Sequence, residues 1–95
     1  MTTNKNDAND AAVRMALAAV RSALEKEPAS AAATSALEQC GRLELALGQF
    51  HSEGLRFASF TLLRTINRAG PALGEAVHSA TLQLKTALES AGYPH

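Results

Sequence analysis

The sequence predicts an all-α protein, a four-helix up-and-down bundle that self-associates. Three observations carry that expectation. Of the 95 residues, 20 are alanine and 13 are leucine, whereas valine and isoleucine together number four. Ala and Leu lose little on entering a helix, and the β-branched residues that favour strands are scarce. Apolar residues recur every three or four positions in four successive segments, which places them on one face of a helix. Breaks at Pro28, near Gly54 and at Gly70-Pro71 leave only short connections between the segments, and short connections favour antiparallel neighbours.

Residues 1–6 form a polar leader with no apolar pattern and are expected to be disordered; residues 7–95 form one helical domain, because 95 residues cannot supply two cores. Asp7, Asn9 or Asp10 is suited to cap the first helix, and their acids to the positive end of its dipole. Its stripe is Val13, Ala16, Leu17, Val20, Ala23 and Leu24. Arg21 and Glu25 are spaced as an i,i+4 pair. Pro28 stops the helix near Glu27.

The second helix starts near Ser30, with Ser30 or Thr34 as its cap, and carries the stripe Ala36, Cys40, Leu43, Leu47 and Phe50. A neighbouring strip runs Leu37, Gly41, Leu45, Gly48 and Ser52. Glycine costs about 1 kcal/mol relative to alanine inside a helix. Two glycines seven apart on one strip therefore point to close helix packing or a dimer seam at Leu37, Gly41, Leu45 and Gly48. Carried past Gly54 at about 100° per residue, the stripe jumps by roughly 70°, which predicts a turn or kink at residues 52–54. The alternative is one long bent helix over residues 30–68 in an interlocked helical dimer.

The third helix, from about Leu55 to Arg68, carries most of the functional signal. Leu55, Ala58, Leu62, Ile66 and Ala69 make one stripe. Phe57, Phe60 and Leu63 fall mostly on another side, among Arg56, Arg64 and Arg68. A small bundle needs one apolar stripe per helix to close its core, and Phe and Arg are enriched where proteins meet. Gly70-Pro71 ends this helix. The fourth opens with Pro71 in its first turn, repeats Leu73, Val77, Ala80, Leu84, Ala87 or Leu88, and Ala91, and stops at Gly92 and Pro94.

Composition excludes several function classes. Nine basic and nine acidic side chains cancel, so no global charge draws the chain to nucleic acid. The leader lacks the apolar core of a signal peptide, and the run from Met15 to Val20 is too short to span a bilayer, so no membrane association is expected. One cysteine, Cys40, permits no intrachain disulfide, and a cytoplasmic location follows as the default. Cys40 and Glu44 have metal-ligand spacing, but Glu44 and His51 are two turns apart and His78 is expected to face solvent; no metal site is predicted. Cys40 lies in the centre of an apolar stripe, where a thiol is dull, and no nucleophile elbow or phosphate loop exists. The chain therefore reads as non-enzymatic, with no cofactor.

The function the sequence supports is a small protein-interaction module, acting as regulator, inhibitor or adaptor through Phe57, Phe60, Leu63, Arg56, Arg64 and Arg68. The partner is a second copy, another protein, or both. The alternative is a helix-turn-helix regulator that reads DNA or RNA with Arg56, Ser59, Thr61, Arg64, Asn67 and Arg68 of the same helix.

Overall fold

The computed structural model of the chain describes residues 5–49 and 52–93, with side chains from Asp10 to Gln49 and from Glu53 to Tyr93. Four α-helices follow in order, α1 (Lys5–Glu25), α2 (Ala31–Gln49), α3 (Ser52–Ala69) and α4 (Glu75–Ala91), with a 3₁₀ turn over Gly70–Ala72 before the last. They form an up-and-down four-helix bundle in which α1 packs chiefly on α4 and α2 chiefly on α3. Both pairs are antiparallel. Glu27, just past α1, reaches Gly74 at the head of α4. Across the other pair, Ala46 and Phe57, and likewise Arg42 and Thr61, line one cleft.

The core is built from the stripes that the spacing selects. Val13, Leu17, Val20 and Leu24 of α1 meet Ala36, Cys40, Leu43 and Leu47 of α2, Leu62 and Ile66 of α3, and Val77, Leu84 and Leu88 of α4. Leu55 and Ala58 extend the buried face of α3, and Ala46 that of α2. With so much alanine, the filling is supplied mainly by leucine, and each fully buried Leu contributes roughly 1.5–3 kcal/mol.

Several local expectations need correction. Lys5 and Asn6, placed in the leader from sequence, already lie in α1, while 1–4 fall outside the described residues. The first helix starts before Asp7, Asn9 and Asp10, so none of them is its cap; Asp10 instead accepts a 2.7 Å bond from Arg14 Nε one turn on. Arg21 does not turn to Glu25. Its Nη2 and Nε lie 2.6 and 2.8 Å from Glu44 Oε1 across the α1–α2 contact. Ser30 is the cap of α2, accepting from the Ala33 amide at 3.1 Å. Phe50, His51 and Pro94 lie outside the described residues.

Gly54 is neither turn nor kink. It sits in the first turn of α3, and the chain divides between Gln49 and Ser52. Because α2 and α3 lie side by side, the single bent helix over 30–68 does not exist. The phase jump in the apolar pattern was a true signal of a break, but the break lies a few residues earlier than Gly54. Pro71 also falls in the 3₁₀ turn and not in α4. Gly70 takes φ 52°, a left-handed conformation that ends α3, and Leu73 is extended before α4 begins at Glu75. At the other end Gly92, at φ 74°, closes α4, with the Tyr93 amide donating to the Leu88 carbonyl at 2.9 Å.

Candidate interaction surface

The second face of α3 stands clear of the core. Phe57 is 66% exposed and Phe60 51%, while Leu62 and Ile66 on the opposite stripe are fully buried. The rings are therefore surface, not filler. Leu63 is half-buried, and Arg56, Arg64 and Arg68 are exposed. The Arg64 guanidinium lies 5.8 Å from the centroid of the Phe60 ring, within cation–π range. Among the described residues, Arg56, Arg64 and Arg68 form no ion pair.

Beside this face is a feature that the sequence did not reveal. Consecutive helices α3 and α4 meet over a short stretch only. A groove of about 880 Å³ opens between them, lined on one wall by Phe60, Leu63, Arg64 and Arg68 and on the other by His78, Thr81, Leu82, Lys85 and Glu89. Leu82 is 65% exposed on its rim. The signal for it was present but faint. Leu82 falls off the Leu73-Val77-Ala80-Leu84 stripe, and Lys85 lies three residues on, so the two share a flank of α4. A single Leu off the stripe is ordinary on any helix.

His78, expected to face solvent, is half-buried, with Nε2 2.7 Å from the Gly70 carbonyl oxygen. This contact ties the start of α4 to the end of α3.

Two of the residues counted as nucleic-acid readers are not available. Ser59 is completely buried, and its hydroxyl has no hydrogen-bond partner among the described residues. The Thr61 hydroxyl donates to the Phe57 carbonyl at 2.7 Å. Moreover, α2 and α3 run alongside one another as bundle neighbours, whereas the helices of a helix-turn-helix cross at roughly 90–120°.

The small-residue strip of α2 is open within the chain. Leu37 packs against the core, but Leu45 is 65% exposed. A Cβ at Gly48 would meet nothing within 4 Å, and one at Gly41 would meet only Arg21 Nη2 at 3.8 Å. Among the described residues no backbone of another helix comes within 4 Å of a Cβ at either glycine, so close packing of this strip is not seen within the described fold. Leu45 and Phe57 instead share a shallow cleft of about 230 Å³ between α2 and α3.

Cys40 is fully buried, and burial pushes its thiol up to about 11 from 9.0. Glu44, its neighbour one turn on, is engaged by Arg21, whose own pKa is raised first by that hydrogen bond. Among the described residues no group of three His, Cys, Asp or Glu side chains is arranged to hold a metal ion, and no helix is long and apolar enough to cross a membrane. No family model matches the chain, and comparison with curated proteins and with solved structures gave no match.

Proposed function

We propose that this chain is a small non-catalytic protein-interaction module, a regulator, inhibitor or adaptor, that acts through the Phe57, Phe60, Leu63, Arg56, Arg64 and Arg68 face of α3. One observation carries the reading: two phenylalanines stand more than half exposed on a helix whose other stripe already closes the core. Each ring leaves more than half of its surface uncovered in the monomer, and buried against a partner each is of the type that dominates interface energetics. The adjoining Leu45 and Gly48 give a second copy a further strip to cover, which supports a homodimer as one form of the interaction.

The test is solution mass by light scattering over a dilution series, together with capture from the native cytoplasmic extract, for wild type, Phe57→Ala and Phe60→Ala. At least one ring truncation should weaken self-association or capture by about 2 kcal/mol while helicity stays unchanged. If neither truncation changes either readout, the proposal fails. Nucleic acid is the second reading, favoured by the arginines of α3, which form no ion pair among the described residues, and weakened by the loss of Ser59 and Thr61 as readers. It requires oligonucleotide affinity that falls steeply with salt, with a slope that Arg64→Ala flattens.

A further inference from the structure

We infer that the groove between α3 and α4 is a docking site for an acidic amphipathic helix of another protein. This rests on the interaction reading above and specifies the partner's chemistry. The charge of the groove is lopsided. Arg64, Arg68 and Lys85 line it against the single carboxylate of Glu89, a net of two positive charges in a chain whose total is zero. Among the described residues none of those three cations forms an ion pair. The apolar surface lies with them: Phe60 on the α3 wall and Leu82 on the α4 rim, both more than half exposed. A helix with an apolar stripe flanked by carboxylates satisfies both halves of this surface.

The dimensions agree. The lining positions on α4, from His78 to Glu89, span about 16 Å at 1.5 Å per residue, which is three turns. An occupant presents its apolar residues at i, i+3, i+4 and i+7, seats them between Phe60 and Leu82, and places Glu or Asp opposite Arg64, Arg68 and Lys85.

A second copy of this chain fits the groove less well. Two-fold pairing of groove with groove would set the same three cations against each other, and like charges at an interface oppose it. Insertion of a different face of the copy is head-to-tail and leads to open chains unless the rotation closes. Nucleic acid could use the cations, but its phosphates have little use for the exposed Leu82 and Phe60 that lie beside them.

The experiment is a fluorescence-anisotropy titration of the intact chain with a labelled synthetic helix of about 14 residues, Leu at i, i+3, i+4 and i+7 and Glu on the flanks. A counterpart with Lys for every Glu and a labelled oligothymidine of similar length are titrated beside it. The acidic peptide should bind at least tenfold tighter than either. Lys85→Glu and Leu82→Ala should each weaken it tenfold or more, and added salt should weaken it as well, while Met15→Ala, at an exposed position of α1 outside the groove, should leave it unchanged. Circular dichroism of each variant checks that the exposed positions have not altered the fold. Equal binding of the acidic and basic peptides, indifference to Lys85→Glu, or tighter binding of oligothymidine each overturns the assignment. So does a dimer that dissociates on Leu82→Ala and binds no peptide, which places a second copy in the groove. In every such case the Phe57 and Phe60 results decide the broader interaction reading on their own.

Discussion

Replacing Ser59 with alanine should make this protein more stable. Ser59 lies on the buried side of α3, fully inaccessible, with its hydroxyl unpartnered among the described residues. Threonines elsewhere in the bundle avoid this situation. Thr61, Thr81 and Thr86 donate to the carbonyl four residues back, at 2.7, 2.7 and 3.1 Å. Ser59 makes no such bond, so its hydroxyl has left water without compensation, a cost of about 1–3 kcal/mol in proteins. Alanine removes that cost and adds a few tenths of a kcal/mol in helix propensity. Against it stand the dispersion contacts of one oxygen atom, about 0.1–0.2 kcal/mol per neighbouring atom, or roughly 0.5–1 kcal/mol altogether.

The balance favours Ser59→Ala by about 1–2 kcal/mol. For a domain of this size that raises Tm by roughly 5–15 °C. Urea denaturation followed by far-UV circular dichroism should show a higher midpoint with an unchanged slope, the mark of a stability change without a change in the surface exposed. Ser79→Ala, at an exposed position of α4, measures the propensity gain alone. A Ser59→Ala variant less stable than wild type by 0.5 kcal/mol or more (roughly the propensity term with its sign reversed) would refute the reasoning, because it would mean the hydroxyl has a partner such as a buried water.

Three further outcomes follow from other contacts. The Cys40 thiol is raised from 9.0 to about 11, so the folded chain favours the protonated form; its contribution is complete below pH 9 and is lost as pH climbs through about 11, roughly 2–3 kcal/mol in all. Cys40→Ala should flatten the alkaline arm of the stability profile, leaving a smaller loss from Tyr93, whose phenol is raised first by burial and then by Asp10. Glu27→Ala should cost about 1–2 kcal/mol by removing the 2.7 Å acceptor of the Gly74 amide at the positive end of α4, with Glu27→Gln recovering part of it in thermal melts. Ser30→Ala should cost about 1 kcal/mol through loss of the α2 cap, read as a shifted urea midpoint, and an unchanged midpoint would mean the Ala33 amide is satisfied otherwise.

The helices and their buried stripes were legible because each rests on local periodicity, which tertiary packing here reinforces. The two-sidedness of α3 was legible for the same reason: Phe57 and Phe60 are out of phase with Leu62 and Ile66, and no neighbouring helix reclaims them. What failed was register between helices. Arg21 has Glu25 one turn away in sequence, yet finds Glu44, 23 residues distant, because the α1–α2 contact brings that carboxylate closer. Gly41 and Gly48 point to close helix packing or a dimer seam; a Cβ at Gly48 meets nothing and one at Gly41 meets only an Arg21 side chain, so the spacing marks where a helix can come near and the fold itself brings none there. The groove was hidden because it belongs to two helices at once. The α3 wall was visible as surplus Phe and Arg, whereas Leu82 and Lys85 look like ordinary surface residues until α4 is placed opposite.

The balanced charge of the chain was the observation that most misled about its surface. Nine acids and nine bases suggest a surface without a field. In the fold, three of the acids are drawn into structural contacts: Asp10 holds Arg14, Glu44 holds Arg21, and Glu27 holds the Gly74 amide at the head of α4. The two bases neutralised in this way both belong to α1. Arg56, Arg64, Arg68 and Lys85, on α3 and α4, have no ion-pair partner among the described residues, and three of them line one groove. Pairing cations on α1 while leaving those of α3 and α4 unpaired turns a neutral sequence into a locally positive surface. Charges within a Debye length of about 8–10 Å act on a docked segment together, so for the proposed partner this local imbalance, and not the net charge, is what counts. Phe60 is accompanied by Arg64 at 5.8 Å, so burying the ring against an identical surface would bring a like charge with it, whereas an acidic segment would neutralise that charge as it covered the ring.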